Sequence, residues 1–330
     1  MSPSNQTDSA VDVVAIGNAI VDVLAHAEDA FVSDLGLAKG SMNLVDADRS
    51  AQLYERMGPA IEASGGSAAN TAAGVASLGG KAVFIGKVAD DTLGTVFAHD
   101  LRATGVDFAV PPASGSAPTA RSLILVTPDA QRTMNTFLGV AAEISADDVD
   151  ETTLKSAAVT YIEGYLCGVP ATVDAIDKAM KSASRVALTL SDSFWVSNQR
   201  ETFMGMLPGV ALVFANEAEA CVLYDTDDVE AAVRRLSSSV ATAIVTRSAH
   251  GSIVVHEGDR FDVPAHPVGH VVDTTGAGDL YAAGYLFGYT HGADPAACGR
   301  LGSAAAAEAI SHFGARPQVE LAAFVASLGL

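Results

Sequence analysis

Residues 273–279 read Asp-Thr-Thr-Gly-Ala-Gly-Asp and join the apolar pair Val271-Val272 to a segment with a helical pattern. In that segment, small or apolar residues recur on one helical face, at Leu280, Ala283, Gly284 and Phe287. The stretch therefore predicts a helix start that is rich in small residues and has a carboxylate in its first turn. On these residues alone two interpretations stay open, an ordinary helix capped by Asp279 and a site for an anion.

The second interpretation has a physical basis. The start of a helix carries backbone N–H groups without partners and a partial positive charge. Glycines allow an anion to approach such a backbone closely. A carboxylate beside this cradle, such as Asp279, can act as general base for a hydroxyl that attacks a phosphate.

A second glycine-framed segment lies about 210 residues earlier, where Ser64-Gly65-Gly66-Ser67 leads into Ala68-Ala69-Asn70-Thr71. We predict a helix over 68–78, and its Gly74 would let the backbone pack close to a neighbour. An N-cap at Ser67 explains this segment without any function. The functional interpretation has the Gly65 and Gly66 amides and the Asn70 side chain contacting hydroxyl groups of a polar substrate. Two helix starts would then face one cleft.

Composition limits the class of protein. The chain has 330 residues, of which 49% are hydrophobic and 18% charged, with a formal net charge of −20. These values are typical of a globular protein and argue against nucleic acid or an anionic membrane as partner. Three scattered cysteines favour a reducing compartment, without a disulfide framework or a metal cluster. With no secretory signal and no long apolar run, we expect a cytoplasmic protein.

The order of predicted elements indicates an α/β fold. Residues 1–10 are expected to form a disordered tail, 11–16 a buried strand, and 121–138 a hairpin. Helices are predicted over 49–61, 171–184, 216–238 and much of 279–310. Further strands are predicted at 82–85, 159–162, 186–190, 211–214 and 243–246, with a hairpin over 252–263. Because strands alternate with helices in the second half, we expect parallel pairing with right-handed crossovers.

Two common nucleotide motifs are excluded. Residues 74–81 look like a phosphate loop, but they have one residue too many before Lys81 and follow a helix instead of preceding one. Gly276-Ala277-Gly278 lacks the third glycine of the dinucleotide fingerprint, which disfavours a Rossmann dehydrogenase. The metalloprotease and serine-hydrolase signatures are also missing from the sequence.

The two glycine-rich segments together resemble the sequence patterns of the ribokinase-like (PfkB) carbohydrate and nucleoside kinase family. The first runs from Gly65 to Asn70 and continues to 86–91, and the second is 273–279. Asn216-Glu217-Ala218-Glu219 matches the family's Asn-x-x-Glu, and the resemblance covers nearly the whole chain. It implies a doubly wound, mostly parallel sheet flanked by helices, with a small β-sheet lid from about 19–46 and 116–139.

The resemblance also implies a reaction and its residues. ATP would phosphorylate a hydroxyl group, with Asp279 as general base and the amides of Gly276, Ala277 and Gly278 stabilising the transferred group. Asn216 and Glu219 would hold Mg²⁺, through water. The residues implied in binding ATP are Asn216, Thr246, Gly251, Thr274 and Thr275. Arg132 on the predicted hairpin is either a phosphate contact or a solvated turn residue, and a monovalent cation such as K⁺ is left open.

Within the family, Gly17-Asn18-Ala19-Ile20-Val21-Asp22 is similar to the opening of adenosine kinases, which contacts the nucleoside ribose. This implies adenosine as acceptor and a role in purine salvage. The implied substrate residues are Asn18, Asp22, Gly65, Gly66, Asn70, Tyr165 and Phe194. Some adenosine kinases have Asn in place of Thr275, so a sugar or another nucleoside stays open, as does a non-catalytic nucleotide-binding regulator. A hydroxymethylpyrimidine or pyridoxal kinase is a third alternative, and the chain would be a monomer or a homodimer.

Overall fold

The structure is a computed structural model that describes residues 10–115, 117–129 and 131–330. The predicted disordered tail lies outside this range except for residue 10. The strands are β1 (Val11–Ile16), β2 (Ile20–His26), β3 (Met42–Leu44), β4 (Ile61–Gly65), β5 (Ala82–Ile85), β6 (Ala120–Val126), β7 (Arg132–Phe137), β8 (Ala157–Ile162), β9 (Val186–Thr189), β10 (Leu212–Asn216), β11 (Thr242–Thr246), β12 (Ser252–His256) and β13 (Asp259–Val263).

Thirteen α-helices alternate with these strands in the described part of the chain. They are α1 (Asp29–Asp34), α2 (Ala47–Arg56), α3 (Ser67–Ser77), α4 (Thr92–Ala103), α5 (Glu151–Ser156), α6 (Val173–Ser182), α7 (Ser193–Asn198), α8 (Arg200–Met206), α9 (Glu217–Tyr224), α10 (Val229–Ser237), α11 (Ala277–Thr290), α12 (Pro295–Ala309) and α13 (Leu321–Ser327). Among the helices described, none has the length and apolar character needed to cross a bilayer.

The larger sheet has eight strands in the order β13-β12-β11-β10-β9-β8-β1-β5. Strands β5 to β11 in this order are parallel, and β12 and β13 add an antiparallel edge. Alternate residues of β1 enter different apolar clusters, one shared with α3, α11 and α12 and the other with α6, α9 and α10. Because alternate strand residues point to opposite faces, helices cover both faces of the sheet. The predicted doubly wound α/β fold is confirmed.

The smaller sheet has the order β3-β7-β6-β2-β4. Its fifth strand, β4, pairs antiparallel with β2 and lies outside the two segments predicted for the lid. Sequence alone gives little sign of β4, since the strand is short and Ile61 is its single large apolar residue. The chain passes directly from β4 through Gly66 into α3, so this strand helps to set the start of that helix.

Two helix predictions run too far. The helix predicted over 49–61 ends at Arg56, because Gly58 and Pro59 interrupt it, and Ile61 already belongs to β4. The helix predicted over 216–238 is divided into α9 and α10. The break is at Asp225, which adopts a left-handed conformation with φ 49° and closes α9.

Candidate active site

Two helix starts meet at the carboxyl end of the large sheet. Helix α3 begins after Gly66, with φ 91°, and α11 begins after Gly276, with φ 74°. The helices pack closely because Gly74 has no side chain. A Cβ atom placed there would lie 2.6 Å from the Cβ atom of Ala283. The predicted close approach at Gly74 therefore brings the two glycine-rich segments together.

Asp279 connects the two segments directly. Its Oδ1 accepts a hydrogen bond from Ser67 Oγ at 2.7 Å, and its Oδ2 accepts one from Asn70 Nδ2 at 2.9 Å. Burial raises the pKa of Asp279 above its ordinary value, while the Ser67 and Asn70 donors and the charge of Arg316 act against that rise. A partly desolvated carboxylate held by two donors has the properties of a general base.

The turn before α11 has the geometry of an anion cradle. The first amides of a helix have no intrahelical acceptor, and a Cβ atom at Gly278 would meet no atom within 4 Å. Ala277 differs from its neighbours because its N–H donates to the carbonyl of Thr274 at 3.3 Å. The Thr274 side chain is exposed. The amides of Gly276 and Gly278 are therefore better placed than that of Ala277 to receive an anion.

A buried carboxylate holds this turn in shape. The oxygens of Asp273 accept hydrogen bonds from Thr275 N and Gly314 N, each at 2.8 Å. Arg132 from β7 forms an ion pair with the same carboxylate and lies over the ring of Phe313, 5.7 Å from its centroid. Burial lowers the pKa of Arg132 to about 10. Arg132 is thus not a solvated turn residue, and it connects the small sheet to the 273–279 turn.

A cavity of about 210 Å³ extends from Asp279 to the small sheet. The predicted residues that line it are Asn18, Asp22, Gly66, Asn70, Tyr165, Thr275 and Asp279. The small sheet adds further lining residues, Ile20, Met42, Leu44, Ser122, Ile124, Met134 and Thr136. Gly65 is not in the lining but lies beside it, because a Cβ atom there would come within 2.2 Å of Asp22 Oδ2.

The polar wall of the cavity is rich in hydrogen-bond acceptors. Asn70 Oδ1 is buried and has no hydrogen-bond partner within the described residues. Asp22 contributes a carboxylate close by, and Asp279 another. A buried acceptor without a partner is costly, so this wall favours a ligand that brings hydroxyl donors.

Glu163 is a cavity residue that the sequence does not single out. It is 1% exposed, and its two oxygens accept hydrogen bonds from Asn18 Nδ2 at 2.8 Å and from the backbone N–H of Ala68 at 3.0 Å. Burial raises its pKa to about 7, although both donors act against this rise. Glu163 therefore orients Asn18 and connects it to the start of α3.

An aromatic pair lines part of the cavity. The rings of Tyr165 and Trp195 approach edge to face, with centroids 6.2 Å apart, and Trp195 Nε1 donates to the carbonyl of Cys167 at 2.9 Å. Phe194, the residue expected from the sequence, does not line the cavity and is 68% exposed. Successive helical residues point about 100° apart, so α7 turns Phe194 outward and Trp195 inward.

Three of the residues implied in nucleotide binding lie next to strand ends outside this cavity, whereas Thr275 lines it and Thr274 precedes it in the turn before α11. Asn216 ends β10 and pairs in register with Thr246 at the end of β11. Gly251 follows β11 with φ 80°, where a Cβ atom would meet Val263 O at 2.0 Å. A glycine at this position lets two backbone segments pass closely. Asn216 and Thr246 are neighbours at the edge where open α/β sheets bind ligands.

Asn216 and Glu219 form a reciprocal helix cap. Glu219 Oε2 accepts from the Asn216 N–H at 3.0 Å, and Glu219 Oε1 accepts from Asn216 Nδ2 at 2.6 Å. Burial raises the pKa of Glu219 to about 7. Each carboxylate oxygen has one lone pair left, which is free to accept a hydrogen bond from a metal-bound water or to bind a metal directly. Across the described ranges, His, Cys, Asp and Glu form no group of three suited to a metal.

Asp22 gives the first testable prediction. Burial raises its pKa from the ordinary 3.8 to about 7, with Asp279 adding to the rise and Arg316 and Arg132 opposing it. Between these pH values the folded state keeps a proton that the unfolded state has lost, so stability falls as pH rises. Asp22→Asn removes this penalty. We expect it to stabilise the protein by on the order of 2 kcal/mol more at pH 8 than at pH 5.

Thermal or urea unfolding of Asp22→Asn and the wild type at both pH values measures this difference. Asp34→Asn is the matched control, because Asp34 is exposed and should show no such pH-dependent gain. An equal gain at both pH values would mean that the Asp22 carboxylate is not desolvated in the fold.

Comparison with known proteins agrees with this geometry. The sequence profile described as pfkB family carbohydrate kinase matches residues 42–321. The chain belongs to the pfkB family of carbohydrate kinases. It is therefore a phosphotransferase with an alcohol group as acceptor, of the sugar and nucleoside kinase type, and kinases of this family use ATP.

Similar proteins include both nucleoside and sugar kinases. The crystal structure of adenosine kinase from Sinorhizobium meliloti is 50% identical, covers 97% of this pfkB family chain and 99% of its own, and has a TM-score of 0.92. A probable sugar kinase from Rhizobium etli CFN 42 is 46% identical over the same shares of the two chains, with a TM-score of 0.94. Adenosine kinase from Saccharomyces cerevisiae is 27% identical over 86% of this chain and 89% of its own.

Proposed function

We propose that this pfkB family kinase transfers the γ-phosphoryl group of ATP to the 5′-hydroxyl of adenosine. The observation that carries the proposal is the composition of one cavity. At one end Asp279 lies beside the anion cradle, the wall presents acceptors suited to ribose hydroxyls, and Tyr165 and Trp195 offer rings to a base. Similarity to two adenosine kinases, from S. meliloti and S. cerevisiae, supports this choice of acceptor.

These residues have separate roles in the proposed reaction. Asp22 and Asn70 accept hydrogen bonds from ribose hydroxyls and place the 5′-hydroxyl beside Asp279. As the O5′–P bond forms, the hydroxyl proton passes to Asp279, while the bond from the γ-phosphorus to its bridging oxygen breaks and ADP leaves. The amides of Gly276 and Gly278 stabilise the negative charge on the transferred group. Closure of the small sheet over the cavity would keep water away from the phosphoryl group.

Mg²⁺ belongs to the same proposal. Asn216 and Glu219 would hold it through water, since Mg²⁺ keeps several waters and Glu219 retains one free lone pair on each oxygen. When bound, the ion would neutralise charge on the ATP phosphates. Thr246 at the adjacent strand end would contact the nucleotide.

A sugar kinase is the second candidate. The acceptor-rich wall suits the hydroxyls of a sugar as well as those of ribose, and Thr275 is shared with many sugar kinases. The similarity to the probable sugar kinase from R. etli supports this alternative. The two candidates differ in whether the Tyr165–Trp195 rings contact a base.

A single assay distinguishes an adenosine kinase from a sugar kinase. ADP release is measured with adenosine, other nucleosides, ribose and fructose as acceptors. Each measurement is made in Na⁺ and in K⁺ buffer, which also tests whether the reaction requires K⁺. We expect the highest kcat/KM for adenosine. Turnover of ribose or fructose that exceeds turnover of adenosine would reject the proposed acceptor in favour of the second candidate.

The aromatic pair supplies a sharper test of base recognition. Stacking of a base on an aromatic ring contributes roughly 1–3 kcal/mol. We therefore expect Trp195→Leu to raise KM for adenosine by about tenfold or more while KM for ATP changes little. Phe194→Leu is the matched control, since Phe194 is the exposed neighbour on the same helix. A larger increase in KM for adenosine in Phe194→Leu than in Trp195→Leu would mean that Phe194, the residue implied by the sequence, contacts the base.

A further inference from the structure

A segment after the end of α12 lies against the anion cradle. Val272 N donates to the carbonyl of Ile310 at 2.8 Å, and Gly314 N donates to Asp273. Next along the chain, Ala315 packs on Gly276 so closely that a Cβ atom at Gly276 would lie 2.8 Å from the Ala315 Cα. The backbone of Arg316 therefore begins immediately beside the turn that starts α11.

The guanidinium group of Arg316 is buried and has no hydrogen-bond partner within the described residues. Its Nε, Nη1 and Nη2 atoms are all buried, and none of them has a hydrogen-bond partner within the described residues. Burial lowers its pKa to about 10, opposed by the charges of Asp22, Asp279 and then Asp100. The guanidinium therefore remains charged at neutral pH. Because Asp22 and Asp279 both line the cavity, this charge lies close to the proposed site of reaction.

Burying five guanidinium N–H donors without acceptors is costly, and a site that keeps such a group is expected to receive an anion. Arg132 differs because its guanidinium forms an ion pair with Asp273, although its Nη1 and Nη2 atoms also lack a hydrogen-bond partner within the described residues. The carboxylates near Arg316 favour its charged form, but none of them accepts a hydrogen bond from its guanidinium group within the described residues. A phosphoryl group in the adjacent cradle would supply the missing acceptors, and a planar guanidinium fits phosphate oxygens in pairs.

We propose that Arg316 binds the phosphoryl group during its transfer, opposite the Gly276 and Gly278 amides. This rests on the proposed kinase reaction and adds no covalent step to it. Arg316 would contact the phosphate in ATP, in the transition state and in the phosphorylated product. It would make no contact with the acceptor before phosphorylation, and this distinction makes the role measurable.

The test compares two ligands that differ by one phosphate. Calorimetry measures the Kd of adenosine and of AMP for the wild type, Arg316→Gln and Arg316→Lys, with Arg300→Gln as control because Arg300 is exposed. We expect Arg316→Gln to weaken AMP binding at least tenfold while the Kd of adenosine changes by less than about threefold. For Arg316→Lys we expect a Kd of AMP between those of the wild type and Arg316→Gln, since lysine keeps the positive charge but cannot form the paired hydrogen bonds of a guanidinium group. The control should match the wild type.

Two results would overturn the assignment. Equal losses for adenosine and AMP would mean that Arg316 only balances the Asp22 and Asp279 charges, and unchanged binding of both would mean that it does not contact the phosphate. If Arg316→Gln fails to fold, as judged by thermal unfolding, the same comparison is made with Arg316→Lys. If the wild type phosphorylates another acceptor, that acceptor and its phosphate ester replace adenosine and AMP. A failure of the adenosine proposal is thereby separated from a failure of this one.

Discussion

Asp279→Asn is expected to lower kcat by about 10² to 10⁴, the range typical of losing a general base. The change removes the proton acceptor but preserves the local contacts. The introduced amide oxygen can accept from Asn70 Nδ2, and the introduced amide nitrogen can donate to Ser67 Oγ, so both hydrogen bonds found for Asp279 have replacements. Affinity for adenosine should therefore stay close to that of the wild type, and stability should not fall, since the change also removes a desolvated charge.

Steady-state kinetics and calorimetry measure these quantities separately. Ser67→Ala provides a control with a different signature, because the Ser67 hydrogen bond lowers the pKa of Asp279. Its removal should shift the acidic limb of the kcat/KM profile to higher pH while leaving substantial turnover at the plateau. Near-normal kcat in Asp279→Asn would exclude Asp279 as the base.

Gly276→Ala is expected to damage both the fold and the reaction. The residue has φ 74°, which disfavours any side chain, and an added Cβ atom would lie 2.7 Å from the Cβ and 2.8 Å from the Cα and O of Ala315. Backbone atoms cannot move aside as flexible side chains can. We expect a loss of about 1–3 kcal/mol in stability and, since the cradle amides shift, about 10² in kcat.

Gly278→Ala is the matched control for stability. It lies in the same turn, where a Cβ atom would meet nothing within 4 Å, and alanine favours a helix over glycine by about 1 kcal/mol. Its Tm should equal or exceed that of the wild type. Similar losses of stability at the two positions would show that contact with Ala315 does not explain the requirement for Gly276.

Local sequence patterns were sufficient to predict the two helix starts and most of the sheet strands that position this site. The two glycine-rich segments are recognisable because glycines before a helix leave a local signal, and Asn18 and Asp22 stand out through the resemblance to adenosine kinases. Most of the strands of the large sheet are apolar runs that are equally visible in the sequence. This is why the sheet and the convergence of two helix starts could be predicted.

The residues that escaped prediction depend on contacts between distant parts of the chain. Glu163 becomes informative only when its oxygens are seen to contact Asn18 and Ala68, and Arg316 only when Ala315 is found against Gly276. Trp195 and Phe194 are adjacent aromatics, and nothing in their sequence says which one the helix turns inward. Strand β4 is short, has Ile61 as its single large apolar residue, and is formed through its pairing with β2.

The Glu163 contacts have a consequence for redesign of the enzyme. A Cβ atom at Gly17 would lie 2.3 Å from Glu163 Oε2 and 2.5 Å from the Cβ of Ala68. Side chains at these three positions would occupy the same space. Glu163 also holds Asn18 in the wall of the cavity through a hydrogen bond. A side chain at Gly17 therefore requires smaller or displaced side chains at Ala68 and Glu163, since a library that varies Gly17 alone would contain mostly clashes.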